Sequence, residues 1–242
     1  FVGSVEQLML GKSNLTNSEN PLGLPVKIVG TLRGNSIPQL VGNLSFEDIT
    51  LSNGTQSTTY GNFVARLARN QQERIIEIPT SELVSGSIRG AYRLQQLPSL
   101  LRATIDRAFP VFTTSKTQAE GTAFVDLIIG SPFLKGLDPS LVSEEPIVIA
   151  GKLSDQDPTA YLSLETPVFK TPKIDAKNLR IYIAPEADQE SILQLDRLEY
   201  NDYVFENLVA TSSLIDQKIG LQITAQGGEQ RDDRFQLFFE QE

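Results

Sequence analysis

Two acidic clusters are the first candidates for a reactive or metal-binding site in this chain. Asp155 and Asp157 alternate in SDQDPT, and Glu144-Glu145 stand before a proline. Carboxylate oxygens are the ligands that calcium prefers. Neither cluster has the glycine or the spacing of an EF-hand loop. We therefore expect both clusters to be solvated turns.

Three serines are the other residues that could react. Ser85, Ser87 and Ser131 would each need a base to take the hydroxyl proton, and the sequence has no His and no G-x-S-x-G elbow. We expect the VSGS and GSP segments around them to be turns. The chain also has no Cys, which removes thiolate nucleophiles and thiolate metal sites. The sequence predicts a non-enzymatic protein with no catalytic residue, metal or cofactor.

Composition limits the partners of this chain. Its 242 residues carry 30 acidic and 21 basic side chains, a net charge of −9. Surfaces that bind phosphates need clustered Lys and Arg, so we expect no nucleic-acid partner.

The chain begins at Phe1 without Met, has no export leader and has no apolar run near the roughly 20 residues that span a bilayer. We expect it to be a piece of a longer protein.

The elements that must position any site are mainly strands. KIGLQITAQ places Ile219, Leu221 and Ile223 on one face, with polar residues or Gly between them. The same alternation appears in AYLSLET, LRIYIA and FQLFFE, and turn signals separate these segments: SDQDPT, APEADQ, YNDY and GGEQRDD. The pattern predicts an antiparallel meander of about ten to thirteen strands.

One segment has helical periodicity instead. Apolar residues recur at intervals of three and four before Pro110, which predicts an amphipathic helix near residues 98–109. We expect it to cap one end of the sheet; docking on a membrane or a partner is the alternative. SPFLKGLDPSL predicts a second, shorter helix or turn. The capping-helix residues are Leu97, Leu100, Leu101, Ile105 and Phe109.

Three segments, in this order, carry a resemblance to a known family. They are IRGAYRLQQLPSLLRATIDRAFPVF, SPFLKGLDPSL and the late KNLRIYIAPEADQESILQLDRLEYNDYVFENLVATSSLIDQKIGLQITA. The chain from about Gly30 onward resembles the periplasmic region of TamB-like proteins (translocation and assembly module), of the Bacteroidota type within the AsmA-like group. The matching segments are Gly90 to Phe112, Phe133 to Leu141 and Asn178 to Ile183.

The resemblance implies a β-rich sheet rolled into an open, taco-like groove with a hydrophobic interior. It implies a periplasmic segment of a larger protein anchored in the inner membrane, serving lipid transport or outer-membrane protein assembly. The implied partners are phospholipid or other hydrophobic cargo, outer-membrane assembly proteins of the Omp85 type and neighbouring segments of the same chain. We expect two units of one sheet: residues 1–112, ending in the capping helix, and residues 113–242.

The apolar strand faces allow two architectures. They either pack on a second sheet, giving a closed sandwich, or line a groove that a guest molecule fills. The sandwich would suit an extracytoplasmic binding or adhesion module that recognises carbohydrate or protein. The groove would carry or shield lipid or outer-membrane protein strands between the two membranes. The predicted lining residues are Leu162, Leu164, Ile181, Ile183, Ile219, Leu221 and Ile223.

Overall fold

The protein forms one open antiparallel sheet with two short helices. The computed structural model describes residues 2–9, 23–35, 39–52, 57–70, 72–108, 119–137, 140–141, 143–184, 190–201, 203–215, 218–227 and 233–241. Within these ranges, sixteen strands belong to a single sheet that does not close into a barrel. The predicted mainly β, antiparallel fold is confirmed.

The element bounds follow the chain in order. The helices are α1 (Leu97–Ala108), with a 3-10 turn at Leu94–Gln96 before it, and α2 (Ser131–Leu137). The strands are β1 (Val2–Met9), β2 (Gly23–Arg33), β3 (Val41–Glu47), β4 (Ile49–Ser52), β5 (Ser57–Tyr60), β6 (Phe63–Arg69), β7 (Arg74–Ile78), β8 (Val84–Tyr92), β9 (Gly121–Ile129), β10 (Ile147–Ser154), β11 (Tyr161–Lys170), β12 (Ile174–Ile183), β13 (Ser191–Tyr200), β14 (Tyr203–Ile215), β15 (Lys218–Gly227) and β16 (Asp233–Gln241).

The strand order is a meander over most of its length. From β6 to β16 every strand pairs with the next one along the chain. Beyond β6 the order continues through β3 and β2 to β4 and β5, and β1 also pairs with β2. Connections this short join antiparallel neighbours, which is why the turn signals predicted the meander.

Two of the segments that read as single strands in the sequence each contain two strands. Asp48 has φ 55° and separates β3 from β4. Gly61 and Asn62 separate β5 from β6. Alternation alone does not reveal these breaks, because the apolar pattern continues across them and because other left-handed residues, Asn178 and Asn207, lie inside β12 and β14 without ending the strand.

Helix α1 packs on β8, β9 and β10. The predicted helix is confirmed, and it begins at Leu97, one residue before the predicted start. Leu100 is fully buried, in a cluster with Tyr92, Ala123 and Leu153. Thr104 is also fully buried; its Oγ1 donates to the Leu100 carbonyl (2.9 Å) and accepts from the Ser154 N–H (3.2 Å). These contacts attach the helix to the end of β10.

Helix α2 packs on the same face of the sheet, at the other ends of the strands. Phe133 contacts a second cluster around Ile49 and Leu83, which also includes the stacked rings of Phe46 and Phe63, 4.5 Å apart. Directly opposed residues share a face, and the register connects the two clusters through Leu67, Ile76, Ile88 and Val125. We call this the inner face.

The sheet is continuous across the predicted unit boundary. Residues 109–118, which include that boundary, lie outside the described residues. Strands β8 and β9 on either side pair directly, from Val84 opposite Ile129 to Tyr92 opposite Gly121. In the described part of the chain, neither helix is long and apolar enough to cross a membrane.

Candidate functional site

A row of apolar residues crosses the inner face from strand to strand. Each member is the direct Cα partner of the next, so all of them lie on one side of the sheet. We call this set the inner row. Its members, one from each strand from β9 to β16, are Leu127, Ile149, Leu164, Ile181, Leu193, Ala210, Ile223 and Leu237.

A second line of residues runs beside the inner row. Leu162 lies opposite Ile183, and Leu221 lies opposite Phe239. Ser191 and Ser212 form a buried pair within this line. The Ser191 hydroxyl accepts from the Ala184 N–H (3.0 Å) and donates to the Ala184 carbonyl (3.3 Å). Because this hydroxyl is satisfied locally, it adds little polarity to the apolar surface.

The two faces of the sheet differ in exposure. Ile149, Ile181 and Leu193 of the inner row are half-buried, whereas their outer-face neighbours Val148, Tyr182 and Ile192 are exposed. The inner face is therefore the less exposed of the two faces at these positions.

Helices α1 and α2 pack on one part of the inner face. The two buried clusters hold the described helix contacts, and the strand farthest along the meander that contributes to them is β11, through Leu162. Among the described residues, no member of β12 to β16 belongs to either cluster. Neither helix therefore shares a buried cluster with the inner face from β12 onward, where Ile183, Leu195 and Ala225 are nevertheless buried.

Six of the seven predicted lining residues lie on the inner face, two of them on β11 and four on β12 and β15. Leu164, Ile181 and Ile223 belong to the inner row, and Leu162, Ile183 and Leu221 lie in the line beside it. Ile183 is buried and the other five are half-buried. Ile219 is in β15 opposite Leu214 and Gln241, but its side chain lies outside the described residues.

The predicted capping residues occupy different positions on α1. Leu100 is buried, and Leu97 and Ile105 are half-buried. Leu101 is 38% exposed, and Phe109 lies outside the described residues. Ala103 and Thr104, which were not predicted, are buried against the sheet. The small size of Ala103 and the local hydrogen bonds of Thr104 let the helix lie close to β10.

The acidic cluster around Asp157 forms an ion-paired turn between β10 and β11. Lys152 Nζ lies 2.6 Å from Asp157 Oδ2, and Asp157 Oδ1 accepts from Thr159 N and Oγ1 at 2.9 and 2.8 Å. The hydrogen bond from Lys152, followed by those from Thr159, lowers the pKa of Asp157 to about 2. Within the described ranges, no three acidic side chains come together to hold a metal ion.

The serines have no reactive arrangement around them. Ser85 and Ser87 lie inside β8, opposite Ile128 and Asp126, so the predicted turn at VSGS was wrong. Gly86, between them, has φ 122°, and a Cβ there would meet the Asp126 carbonyl oxygen of β9. This glycine permits close strand pairing rather than a turn. Ser131 is the first residue of helix α2, so the turn predicted at GSP was wrong.

The predicted lining residues include three of the eight members of the inner row and miss the other five. Leu193 was missed because Ile192 and Leu193 are adjacent apolar residues, so alternation in β13 does not say which one faces inward. Ala210 gives no apolar signal beside Val209, and Leu127 has Ile128 beside it in the same way. The strand register decides these cases.

No protein-family model, curated protein or solved structure matches the chain, so the resemblance to TamB-like proteins stays a prediction.

Proposed function

We propose that the chain is a non-enzymatic groove that carries or shields hydrophobic cargo on its inner face. The observation that carries the proposal is the inner row: eight apolar side chains in direct register, which in the described part of the chain belong to no helix-packed cluster from β12 onward. The cargo is a lipid acyl chain or an outer-membrane protein strand. We further propose, from the resemblance, that this occurs in the periplasm as part of a larger protein anchored in the inner membrane.

The size of the inner row supports an acyl chain as cargo. Seven inter-strand steps of about 4.8 Å make the row roughly 34 Å long. One acyl chain spans about half of a 30 Å hydrocarbon core, or roughly 15 Å. A chain lying along the row would therefore contact apolar side chains over its whole length and have room to move.

The energetics of binding need no specific polar contact. Each methylene removed from water contributes about 0.8 kcal/mol. Because Leu, Ile and Ala repeat from strand to strand, a lipid that advances by one strand exchanges one apolar contact for a similar one. The groove would therefore bind acyl tails and let them slide, which is the property a carrier needs.

The adhesion-module alternative finds less support. A sandwich needs a second sheet packed face to face at about 10 Å, whereas all strands in the described ranges belong to one sheet. The outer-membrane assembly proteins and neighbouring segments named above remain proposed partners, because they follow from the resemblance.

Paired substitutions on opposite faces test the proposed function. Ile181 and Leu193 are direct partners on the inner face, and Tyr182 and Ile192 are direct partners on the outer face one residue away. Changing Ile181→Asp with Leu193→Asp should weaken binding of a fluorescent fatty-acid probe at least about tenfold. A tenfold loss corresponds to about 1.4 kcal/mol, which is roughly the contribution of two buried methylene groups of the probe.

The control carries the same charge on the same two strands. Tyr182→Asp with Ile192→Asp should leave probe binding unchanged, and circular dichroism should show that both variants keep their β-sheet content. Equal losses of binding in the two variants, or no loss in either, would contradict the proposal.

A further inference from the structure

Two asparagines inside strands have a backbone conformation that is rare in a sheet. Asn178 in β12 has φ 52°, and Asn207 in β14 has φ 51°. Asn is one of the few residues that reach the left-handed region at little cost. Irregular residues of this kind bend a strand and re-aim the side chains beyond them. The side chains before and after each asparagine therefore need not follow one alternating pattern.

The asparagines belong to a line of irregular residues that crosses four strands. In the register of β12 to β14, Asn178 is level with Asp196, which is level with Asn207. Asn178 Nδ2 donates to Asp196 Oδ2 (2.6 Å), and Asn207 Nδ2 donates to Gln226 Oε1 on β15 (3.2 Å). Pro167 lies at the same level on β11, where a residue without an N–H fits an interruption of pairing. We call Pro167, Asn178, Asp196 and Asn207 the offset line.

Another apolar row lies beyond the offset line, and β15 shows which face it is on. The register of β15 with β16 is uninterrupted, so Ala225 and Gly227 follow Ile223 on the inner face at intervals of two. Phe205 is the direct partner of Gly227 and therefore faces inward too. Direct partners continue from Phe205 across β13 and β12 to β11. We call this set the far row: Phe205, Leu198, Ala176 and Phe169.

Burial and ring contacts agree with this assignment. Ala176 is 3% exposed, whereas its neighbour Lys177 is exposed. The Phe205 ring meets the Phe235 ring edge to face, with centroids 5.9 Å apart, and Phe235 is opposite Ala225 on the inner face. The far row is therefore continuous with the inner face of β15 and β16.

Unbroken alternation would have placed charged residues on the inner face instead. Counting by two from Ile181, Leu193 and Ala210 of the inner row leads to Lys177, Arg197 and Glu206. These three are direct partners of one another, and the offset line puts them on the outer face. Charged groups on the inner face would resist contact with hydrocarbon, because they lose hydration there.

The offset line also lengthens the apolar surface along the strands. On β12 the inner face runs from Ile183 through Leu179 to Ala176. At about 3.3 Å per residue, this is roughly 23 Å, compared with about 13 Å if it ended at Leu179. The far row thus adds almost half of the apolar width that cargo would meet.

We propose that Asn178 and Asn207 are positioning residues of the groove, whose left-handed backbone places the far row on the cargo-binding face. The cargo-binding part rests on the proposed function. The face of the far row rests on strand register alone. Each part has its own readout in the experiment that follows.

Protection of single thiols by cargo tests the face of the far row. The chain has no natural Cys, so Leu193→Cys, Leu198→Cys and Arg197→Cys each introduce one thiol, in the inner row, the far row and the outer face of β13. The rate of maleimide labelling is measured with and without palmitate. Saturating palmitate should slow labelling at positions 193 and 198 at least about fivefold, and at position 197 less than about twofold, because a thiol reacts only where it is accessible.

Paired asparagine variants test the positioning role. Valine strongly disfavours the left-handed region, whereas glycine adopts it freely. With Asn178→Val and Asn207→Val, palmitate should no longer protect position 198 but should still protect position 193. With Asn178→Gly and Asn207→Gly, it should protect both positions as in the wild type. Circular dichroism checks that both backgrounds keep their sheet content.

Two results would overturn the proposal. One is protection at position 193 with none at position 198, which would leave the far row outside the cargo-binding face. The other is equal protection of position 198 in the valine and glycine backgrounds. If the valine background loses its sheet content, the labelling rates in the wild-type background still decide the face of the far row.

Failure of the proposed function would look different. Palmitate would then protect none of the three positions, including position 193 in the inner row. That result would contradict cargo binding by the inner row and by the far row together, whereas loss at position 198 alone would contradict only the assignment of the far row.

Discussion

Leu100 and Leu101 are neighbours in sequence that contribute differently to the structure. Both lie in the predicted apolar stripe, but Leu100 is fully buried between α1 and the sheet while Leu101 is 38% exposed. The reason is the 100° rotation per residue of a helix, which turns Leu101 away from β10. The buried side of α1 is completed by Ala103 and Thr104 instead.

Leu100→Ala should therefore be the more destabilising of two matched truncations. Removing a fully buried leucine side chain should lower the free energy of unfolding by about 2–5 kcal/mol, because it leaves a cavity as well as lost contacts. Leu101→Ala should cost no more than about 1 kcal/mol. Urea unfolding followed by circular dichroism measures both, and equal losses would show that α1 is not seated as described.

At the scale of elements, the turn between β10 and β11 makes stability depend on pH. The pKa of Asp157 is lowered to about 2 from a usual 3.8, because Lys152 and Thr159 hydrogen-bond to the ionised carboxylate. A lowered folded-state pKa stabilises the protein above pH 3.8. That contribution is lost as the pH falls from about 4 through about 2.

Asp157→Asn should remove this pH dependence. The wild type should be the more stable protein at neutral pH, and the difference in unfolding midpoint should shrink between pH 4 and pH 2. Thermal unfolding of both proteins across this range measures it. A difference that stays constant with pH would mean that the Lys152–Asp157 pair does not hold the turn.

Most of the elements were predictable from sequence, and their register was not. Alternation marked β11, β12, β15 and β16, and the helical stripe marked α1, because each pattern reflects one buried face. Local patterns do not report a left-handed residue such as Asp48, nor which of Ile192 and Leu193 faces inward. Six of the seven proposed lining residues lie together on one face because their strands were strongly two-sided.

Across the whole molecule, the structure is a single open antiparallel sheet with an apolar inner face, and helices α1 and α2 pack on part of that face. In the described part of the chain, no second sheet packs on it. The proposed function depends on this feature, because a face filled by the protein's own packing would have no room for cargo.

Native mass spectrometry of the purified chain shows directly whether the inner face holds hydrophobic cargo. If the inner face holds cargo, the spectrum should contain the chain with one or more bound phospholipid or fatty-acid molecules, and the Ile181→Asp with Leu193→Asp variant should lose them. A wild-type chain that is lipid-free as purified, and still lipid-free after incubation with phospholipid, would contradict the account.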